Sequence, residues 1–269
     1  MNIYRGCSHG CIYCDSRSAC YQNVDFDIVK PKENALQIIR DELRRKAVTG
    51  VIATGAMSDP YNPLERELKL TGNALELINA FGFGVAIATK SALVARDLVV
   101  LQDIKDHSPV IVKVTITTAD DTLCKKLEPN VSSTSERMEA LNRLSDGGIY
   151  CGILLNPVLP FITDNEENIV SILRMAKDNG AKFVHTFMGM TLRTGNREYY
   201  YEQLDNLLPN VKDQHIKKYD NRYDCISPKA KKLWGIFTSE CERLNLLYDM
   251  RAITSHYKMG YGSRQLCLF

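Results

Sequence analysis

Hydrophobic positions along the chain follow two alternating spacings. Short apolar, β-branched runs predict strands at residues 2–4, 51–54, 85–89, 110–117, 149–155 and 183–188. Stretches with helical periodicity lie between them, at residues 31–47, 71–81, 92–102, 120–126, 135–144 and 165–177. Strands that alternate with helices imply a parallel sheet with right-handed crossovers. Six such units are too few for a closed eight-stranded barrel, so the pattern predicts an α/β fold, a partial (β/α)6 barrel of the TIM type.

The pattern changes after residue 188. Two amphipathic helices are predicted at residues 196–208 and 228–247, and the last residues contain two glycines and show no clear period. We therefore expect three parts. These are a barrel at residues 1–190, a helical C-terminal extension packed on the barrel at 191–254, and an extended tail at 255–269.

Composition narrows the class of protein. The chain has 269 residues, of which 45% are hydrophobic and 25% charged, as in soluble globular proteins. A net charge of +2 decides nothing about nucleic acid, because a basic patch can lie within a nearly neutral total. The N-terminus has no signal-peptide pattern, and no apolar run is long enough to span a membrane. We predict a cytoplasmic protein without membrane contact, and we hypothesise that Met1 is an internal methionine of a longer product.

Three of the nine cysteines lie within eight residues, which disfavours a disulfide scaffold. Cys7, Cys11 and Cys14 form a C-x3-C-x2-C loop that contains glycine. Three thiolates can each hold one iron of a [4Fe–4S] cluster and leave the fourth iron open to a small molecule. The alternative is a zinc site, which usually takes a fourth Cys or His. His9 lies between two of the ligands and is poorly placed to bind the same ion.

This loop, with Tyr13 just before the third cysteine, resembles the signature of radical S-adenosylmethionine (SAM) enzymes. That family also has the partial (β/α)6 barrel. The resemblance implies an enzyme with a [4Fe–4S] cluster and SAM as cofactors, and Cys7, Cys11 and Cys14 as catalytic cluster ligands. Reduction of the cluster would cleave SAM to methionine and a 5′-deoxyadenosyl radical, which abstracts hydrogen from the substrate. A flavodoxin- or ferredoxin-type protein would supply the electron.

Four motifs resemble more closely the spore photoproduct lyase-like branch, which is related to DNA repair. They are N-I-Y-R-G-C-S-H-G-C-I-Y-C at residues 2–14, M-S-D-P-Y at 57–61, L-E-P at 127–129 followed by Arg137, and N-P-V-L-P at 156–160 with Asp164. We interpret Arg137 as structural, paired with Glu128. The similarity extends to about residue 188 and implies a lyase-like reaction with DNA or a nucleotide as substrate.

One position departs from that branch. Spore photoproduct lyases carry a cysteine two residues before the Ser-Asp pair, where it returns a hydrogen atom to the substrate radical. This chain has Ala56 there, which has no such hydrogen to give. Tyr61 is a candidate substitute. The departure puts reversal of a thymine photoproduct in doubt.

The resemblance also assigns residues to SAM: Tyr13, Ser58, Asp59, Lys90, Thr115 and Asn156. Ser58 and Asp59 follow the second strand, where they would accept hydrogen bonds from the methionine ammonium. Lys90 follows the third strand and would approach the carboxylate or ribose. Thr115 would meet the ribose or carboxylate, and Asn156 the adenine. The alternatives are a simple Ser-Asp-Pro turn, a surface lysine and a strand-forming threonine.

The end of the chain carries a further motif. Gln265, Leu266, Leu268 and Phe269 resemble the Q-L-x-L-F peptide with which bacterial DNA-repair and replication proteins bind the sliding clamp. An extended peptide of this kind inserts two apolar side chains and fixes its register with the glutamine amide. The alternative is an apolar patch that folds back on the domain.

Basic residues offer candidate DNA contacts. Arg193 and Arg197 follow the sixth predicted strand, and the lysines at 229, 231 and 232 accompany Trp234. The alternative for the lysines is a solvated helix face. Two other functions stay open: a radical SAM enzyme for a peptide or small metabolite, and a non-enzymatic iron–sulfur electron-transfer protein. Formation of 5′-deoxyadenosine separates the enzymes from the last.

Overall fold

The structure is a computed structural model that describes residues 1–23 and 25–261. A short antiparallel pair, β1 (Tyr4–Arg5) and β2 (Lys30–Pro31), precedes the main sheet. The main sheet has five parallel strands in the order β3-β4-β5-β6-β7. They are β3 (Val51–Thr54), β4 (Gly84–Thr89), β5 (Val110–Thr115), β6 (Cys151–Leu155) and β7 (Val184–Thr186). The predicted partial α/β barrel is confirmed.

Helices cover the convex side of this sheet. They are α1 (Ala35–Arg45), α2 (Glu65–Leu68), α3 (Leu70–Ala80), α4 (Leu98–Lys105), α5 (Asp121–Leu127), α6 (Thr134–Asp146) and α7 (Glu166–Asp178). Three short 3-10 helices lie at Asp15–Arg17, Ala19–Tyr21 and Ala92–Asp97. Alternate strand residues such as Val85, Val112 and Ile153 pack in one apolar core with Leu101 and Leu141 of the helices. The other strand residues therefore face the concave side.

The prediction of six parallel strands was wrong for the first one. The Met1 amino group donates to the Ala53 carbonyl of β3 at 2.5 Å, but the chain then leaves that edge. Residues 4–5 pair with residues 30–31 instead, and the Lys32 amide donates to the Ile3 carbonyl at 2.9 Å. The described sheet therefore has five parallel strands.

The C-terminal part adds the antiparallel pair β8 (Gly189–Thr191) and β9 (Asp224–Ile226) and four helices. The helices are α8 (Asn196–Leu207), α9 (Val211–Tyr219), α10 (Ala230–Leu244) and α11 (Met250–Tyr257). α8 and α10 were predicted, whereas α9 and α11 were missed. The extended tail predicted from Ser255 is wrong for residues 255–257, which form the end of α11. The clamp-like residues Gln265, Leu266, Leu268 and Phe269 lie outside the described residues.

α11 closes one end of the concave face. Ile253 is 1% exposed and packs with Ala86 of β4, Ile111 of β5 and Phe183, which directly precedes β7. These residues lie near the N-terminal ends of the strands, so the opposite, C-terminal edge stays open. Within the described part of the chain, no helix is long and apolar enough to cross a membrane.

Candidate active site

The three cysteines lie on one tightly folded loop after β1. The Cys7 amide donates to the Phe26 carbonyl at 2.8 Å. Gly6 is required before it, because its φ is +78° and a Cβ there would lie 2.6 Å from the Ile28 carbonyl oxygen. Cys7 and Cys11 are buried, Cys14 is half-buried, and all three are free thiols. Burial, with the nearby Asp59 charge, raises the pKa of Cys7 to about 11.

The segment after α5 holds the other side of the loop. The Ile12 amide donates to the Leu127 carbonyl at 3.0 Å, and the Asn130 amide donates to the His9 carbonyl at 3.1 Å. The Asn130 side chain donates to the Ser8 carbonyl at 2.9 Å. These bonds fix the backbone of the cysteine loop beside the strand ends of the sheet.

A buried ion pair lies behind the loop. Glu128 and Arg137 are both 0% exposed. Nη2 of Arg137 donates to Oε2 of Glu128 at 2.6 Å. The Tyr13 hydroxyl donates to the other Glu128 oxygen, and Arg137 Nη1 donates to the Thr115 carbonyl at 2.7 Å. Burial alone would raise the pKa of Glu128, but Arg137 and Lys90 outweigh it and the pKa is lowered. The predicted Arg137–Glu128 pair is confirmed.

Asp59 ties three segments together. Its Oδ1 accepts from Thr89 Oγ1 at 2.6 Å and from the Tyr61 amide at 2.9 Å, and its Oδ2 accepts from the Lys90 amide at 2.7 Å. His9 Nδ1 of the cysteine loop lies 3.5 Å from Asp59 Oδ2. The carboxylate therefore joins the ends of β3 and β4 to the cysteine loop.

Ser58 and Lys90 lie beside the same loop. Ser58 Oγ donates to the Gly6 carbonyl at 2.5 Å, so this hydroxyl is already engaged by the loop backbone. Lys90 Nζ lies 5.7 Å from the centre of the Tyr13 ring. Burial lowers the pKa of Lys90, but Cys11, Glu128, Cys14 and Asp59 outweigh burial, so the pKa is raised. The Lys90 ammonium is therefore a positive charge close to the cysteine thiols.

The remaining predicted SAM residues lie at the ends of the next two strands. Thr115 is the last residue of β5 and is buried. Asn156 directly follows β6 and is exposed. The C-terminal ends of parallel strands lie at one edge of a sheet, where active sites of barrel folds gather. Ser58 and Asp59, which follow β3, and Lys90, which follows β4, lie at the same edge.

The thiol set is compatible with a cluster. Among the residues that the structure describes, no group of three Cys, His, Asp or Glu side chains converges on a point where a single ion could bind. A [4Fe–4S] cluster instead takes each thiolate at a different iron. Three free thiols on one loop beside the Lys90 ammonium therefore fit an anionic cluster.

Two of the candidate basic sites have structural roles. Arg197 is buried and donates to the carbonyls of Leu192, Asp220 and Arg222 at 2.7 to 2.9 Å. Lys232 pairs with Glu166 of α7 at 3.3 Å. Arg193 differs, because its guanidinium is partly exposed and lies 4.7 Å from the centre of the Tyr223 ring.

Sequence reasoning missed two polar residues on the concave face, Lys113 of β5 and His185 of β7. Both lie in strands whose other residues are mostly apolar. The signal for Lys113 was present, because it interrupts the run V-I-V-K-V-T. A charge in the middle of a central strand needs an explanation. His185 carried no comparable signal.

Comparison with known proteins agrees with this geometry. The profile of the radical SAM superfamily matches residues 1–173. The chain belongs to the radical SAM superfamily. Members of this superfamily are enzymes that use a [4Fe–4S] cluster and SAM and need an electron donor.

Two relatives in sequence carry no functional name. The uncharacterized protein Rv2578c of Mycobacterium tuberculosis is 30% identical over 226 residues, which are 81% of this chain and 66% of that protein. The uncharacterized protein MJ0683 of Methanocaldococcus jannaschii is 34% identical over 235 residues, with 86% and 80% coverage. This chain thus spans just under two thirds of the length of the mycobacterial relative.

Solved structures share the fold. A spore photoproduct lyase with bound AdoMet and dinucleoside spore photoproduct superposes with a TM-score of 0.65 at 14% identity, over 90% of this chain and 73% of that one. The radical SAM methyltransferase TsrM of Kitasatospora setae, with tryptophan substrate and a SAM analog bound, gives 0.60 at 12% identity, over 97% and 58%. The partial barrel of radical SAM enzymes is therefore the fold of this chain.

Proposed function

We propose that this radical SAM enzyme abstracts hydrogen from DNA or a nucleotide in a lyase-like reaction of DNA repair. The observation that carries the proposal is the cysteine loop, held beside Lys90 and the strand ends in a partial barrel. The nucleic-acid substrate class is supported by the motifs shared with the spore photoproduct lyase-like branch. It is also supported by the fold of a lyase that binds a dinucleoside photoproduct.

We assign Cys7, Cys11 and Cys14 as the cluster ligands. A [4Fe–4S] cluster held by these thiolates would supply the electron that cleaves bound SAM. Lys90 offers a positive charge beside Tyr13 of the cysteine loop, and Asp59 fixes the Lys90 backbone by accepting from its amide at 2.7 Å. This charge suits the carboxylate or ribose of SAM and balances the negative thiolates.

The other predicted contacts divide between direct and supporting roles. Thr115 and Asn156 at the open edge are candidates to contact the ribose and adenine of SAM. Ser58 donates to the Gly6 carbonyl, so its oxygen has lone pairs left to accept from the methionine ammonium. The Tyr13 hydroxyl donates to Glu128, so the ring of Tyr13 is the part left to contact SAM. Asp59 is engaged by the protein itself and would act by positioning Lys90.

A second candidate function is a radical SAM enzyme for a peptide or small metabolite. The fold of TsrM, solved with tryptophan bound, favours this candidate. Ala56 also favours it, because the branch that repairs DNA carries a hydrogen-donating cysteine there. The electron-transfer alternative leaves Lys90 and the strand-end residues without a role.

The partners and location follow from the same proposal. We propose a flavodoxin- or ferredoxin-type electron donor and a cytoplasmic location, where thiols stay reduced. The tail residues Gln265, Leu266, Leu268 and Phe269 are proposed to bind a sliding clamp and so bring the enzyme to DNA. Residues 1–190 would form the catalytic barrel and residues 191–254 its extension.

Anaerobic reconstitution with iron, sulfide, SAM and a reductant tests the proposal. The wild-type protein should release 5′-deoxyadenosine, and Cys11→Ala should lower this release to the level of a protein-free control with an unchanged circular dichroism spectrum. Cys20→Ala is the matched control, since Cys20 is an exposed thiol outside the motif, and it should behave as wild type. Cleavage of SAM by Cys11→Ala would refute the cluster assignment. Deuterium transfer from labelled dinucleotides, but not from labelled tryptophan, would favour the nucleic-acid substrate.

A further inference from the structure

The concave face of the sheet holds one lysine in an unusual place. Val112 and Val114 of β5 are 0% exposed in the core on the convex side. Because neighbouring residues of a strand point to opposite faces, Lys113 points to the concave side. It is half-buried there. The side chain therefore projects from the concave side of the sheet, which is the interior of the partial barrel.

Lys113 lies between a closed floor and the open edge. Two residues before it, Ile111 belongs to the apolar floor that α11 covers with Ile253. Two residues after it, Thr115 ends the strand at the edge where SAM is proposed to bind. The position is thus one layer below the cofactor residues.

The neighbours of Lys113 leave room beside it. In the strand register, Lys113 is opposite Ala88 on β4 and opposite Gly152 on β6. Neither residue has a side chain longer than a methyl group. On the β6 side the Phe183 ring lies against Gly152 and fills this space. On the β4 side Ala88 is half-buried and leaves space in which a bound molecule can reach the lysine.

Lys113 lacks a partner for its charge. In residues 1–23 and 25–261, no carboxylate and no hydrogen-bond acceptor pairs with its ammonium, and burial lowers its pKa. Other titratable side chains near this face are His185 of β7, two strands away, and Tyr150 and Tyr257, which pack with Ile111 at the floor. A partly buried ammonium without a partner costs free energy. Fold stability therefore does not account for this lysine.

We propose that Lys113 binds an oxyanion, a carboxylate or a phosphate, of the substrate in the interior of the barrel. The inference rests on the proposed function and adds to it that the substrate carries this anion. An ammonium is a compact charge with three donors and suits either anion. The apolar floor below it stops the substrate from sinking further, so the reacting carbon stays toward the open edge.

Anion binding to the reconstituted protein with SAM tests this assignment. Anaerobic isothermal titration calorimetry measures the binding of two probes, inorganic phosphate and acetate. Wild type should bind at least one of them saturably, and Lys113→Met should weaken that binding at least tenfold. Lys113→Arg should restore most of it. Lys182→Met, which removes an exposed lysine next to β7, should bind as wild type.

The two probes distinguish the source of the anion. Stronger binding of phosphate indicates a nucleotide, and thymidine 5′-monophosphate should then bind more tightly than thymidine only when Lys113 is present. Stronger binding of acetate indicates a substrate carboxylate. No binding by wild type, or equal binding by wild type and Lys113→Met, would overturn the proposal.

A stability measurement separates this role from a structural one. Methionine matches lysine in length and needs no partner, so Lys113→Met should keep or raise the melting temperature. A lower melting temperature in Lys113→Met would mean that Lys113 stabilises the fold, which contradicts the proposal. Both readouts are independent of radical formation, so a protein that binds anions but releases no 5′-deoxyadenosine would refute only the proposed function.

Discussion

At the scale of single residues, the Glu128–Arg137 pair joins the cysteine loop to the sheet. Both charges are fully buried, and their other hydrogen-bonding atoms reach Tyr13, Thr115 and Cys124. A buried ion pair stabilises a protein little compared with apolar residues at the same positions, because both ions lose their hydration on burial. Its value here is geometric, since Glu128 holds Tyr13, which lies between Cys11 and Cys14 in the cysteine loop.

Arg137→Met should lower the free energy of unfolding by about 3–5 kcal/mol, because it leaves Glu128 buried without its counter-ion. The lowered pKa of Glu128 means that the wild-type pair stabilises the protein above the ordinary carboxyl pKa and loses this effect as the pH falls. The deficit of Arg137→Met should therefore shrink in acid. Urea denaturation at pH 7 and at lower pH measures this.

The double variant Glu128→Gln with Arg137→Met is the control for that experiment. It removes both charges and should be more stable than Arg137→Met alone. If the double variant is less stable than Arg137→Met, the loss of the ion pair does not explain why Arg137→Met lowers the stability.

Sequence reasoning is most direct at this scale where the chemistry is local. Cys7, Cys11 and Cys14 share one loop, so their spacing alone predicts a ligand set. Lys113 was missed for the opposite reason. A strand pattern does not tell which face of the sheet is filled by a helix and which is open, so the exposure of one strand lysine depends on distant packing.

At the scale of elements, the site depends on the close approach of the parallel neighbours β3 and β4 at their C-terminal ends. Gly55 directly follows β3 with φ at +93°, and a Cβ there would overlap the Ala88 carbonyl oxygen of β4. This close approach lets the next residues, including Asp59, turn back to the end of β4. A glycine is required at this position for both its conformation and its size.

Gly55→Ala should lower the free energy of unfolding by at least about 2 kcal/mol, from the left-handed conformation and the overlap with backbone atoms. Gly50→Ala is the matched control, since a Cβ there meets nothing within 4 Å. It should change stability by less than about 1 kcal/mol. Chemical denaturation of both proteins makes the comparison, and equal effects would contradict the close approach of Gly55 to Ala88.

The periodicity predicted most elements of the barrel well, because their apolar runs match the pleat of a buried strand. The third predicted strand, residues 85–89, corresponds to Gly84–Thr89. The first strand failed, because its partner at residues 30–31 lies in a charged segment without a strand signal. Pairing between distant segments is not encoded in the local pattern.

At the scale of the whole molecule, α11 covers the lower end of the concave face and forms its floor. The partial barrel has a concave face that strands alone would leave exposed. Ile253 and Tyr257 cover its lower end, next to Ala86 and Phe183. The sequence could not predict this, because the helix is short and its apolar face fits a surface formed by Ala86, Ile111 and Phe183, which are distant from it in the sequence. The floor is also what defines the depth at which Lys113 meets a ligand.

Ile253→Ala should lower the free energy of unfolding by about 2–5 kcal/mol, because the side chain is 1% exposed and its loss leaves a cavity between α11 and the sheet. Met250→Ala in the same helix is the control, since Met250 is 40% exposed and should change stability little. Thermal and urea unfolding measure both variants. Loosening the floor should also weaken phosphate or acetate binding at Lys113, although Ile253 is itself uncharged. Wild-type stability in Ile253→Ala would mean that α11 does not close the concave face, and the boundary of the substrate cavity would have to be sought elsewhere.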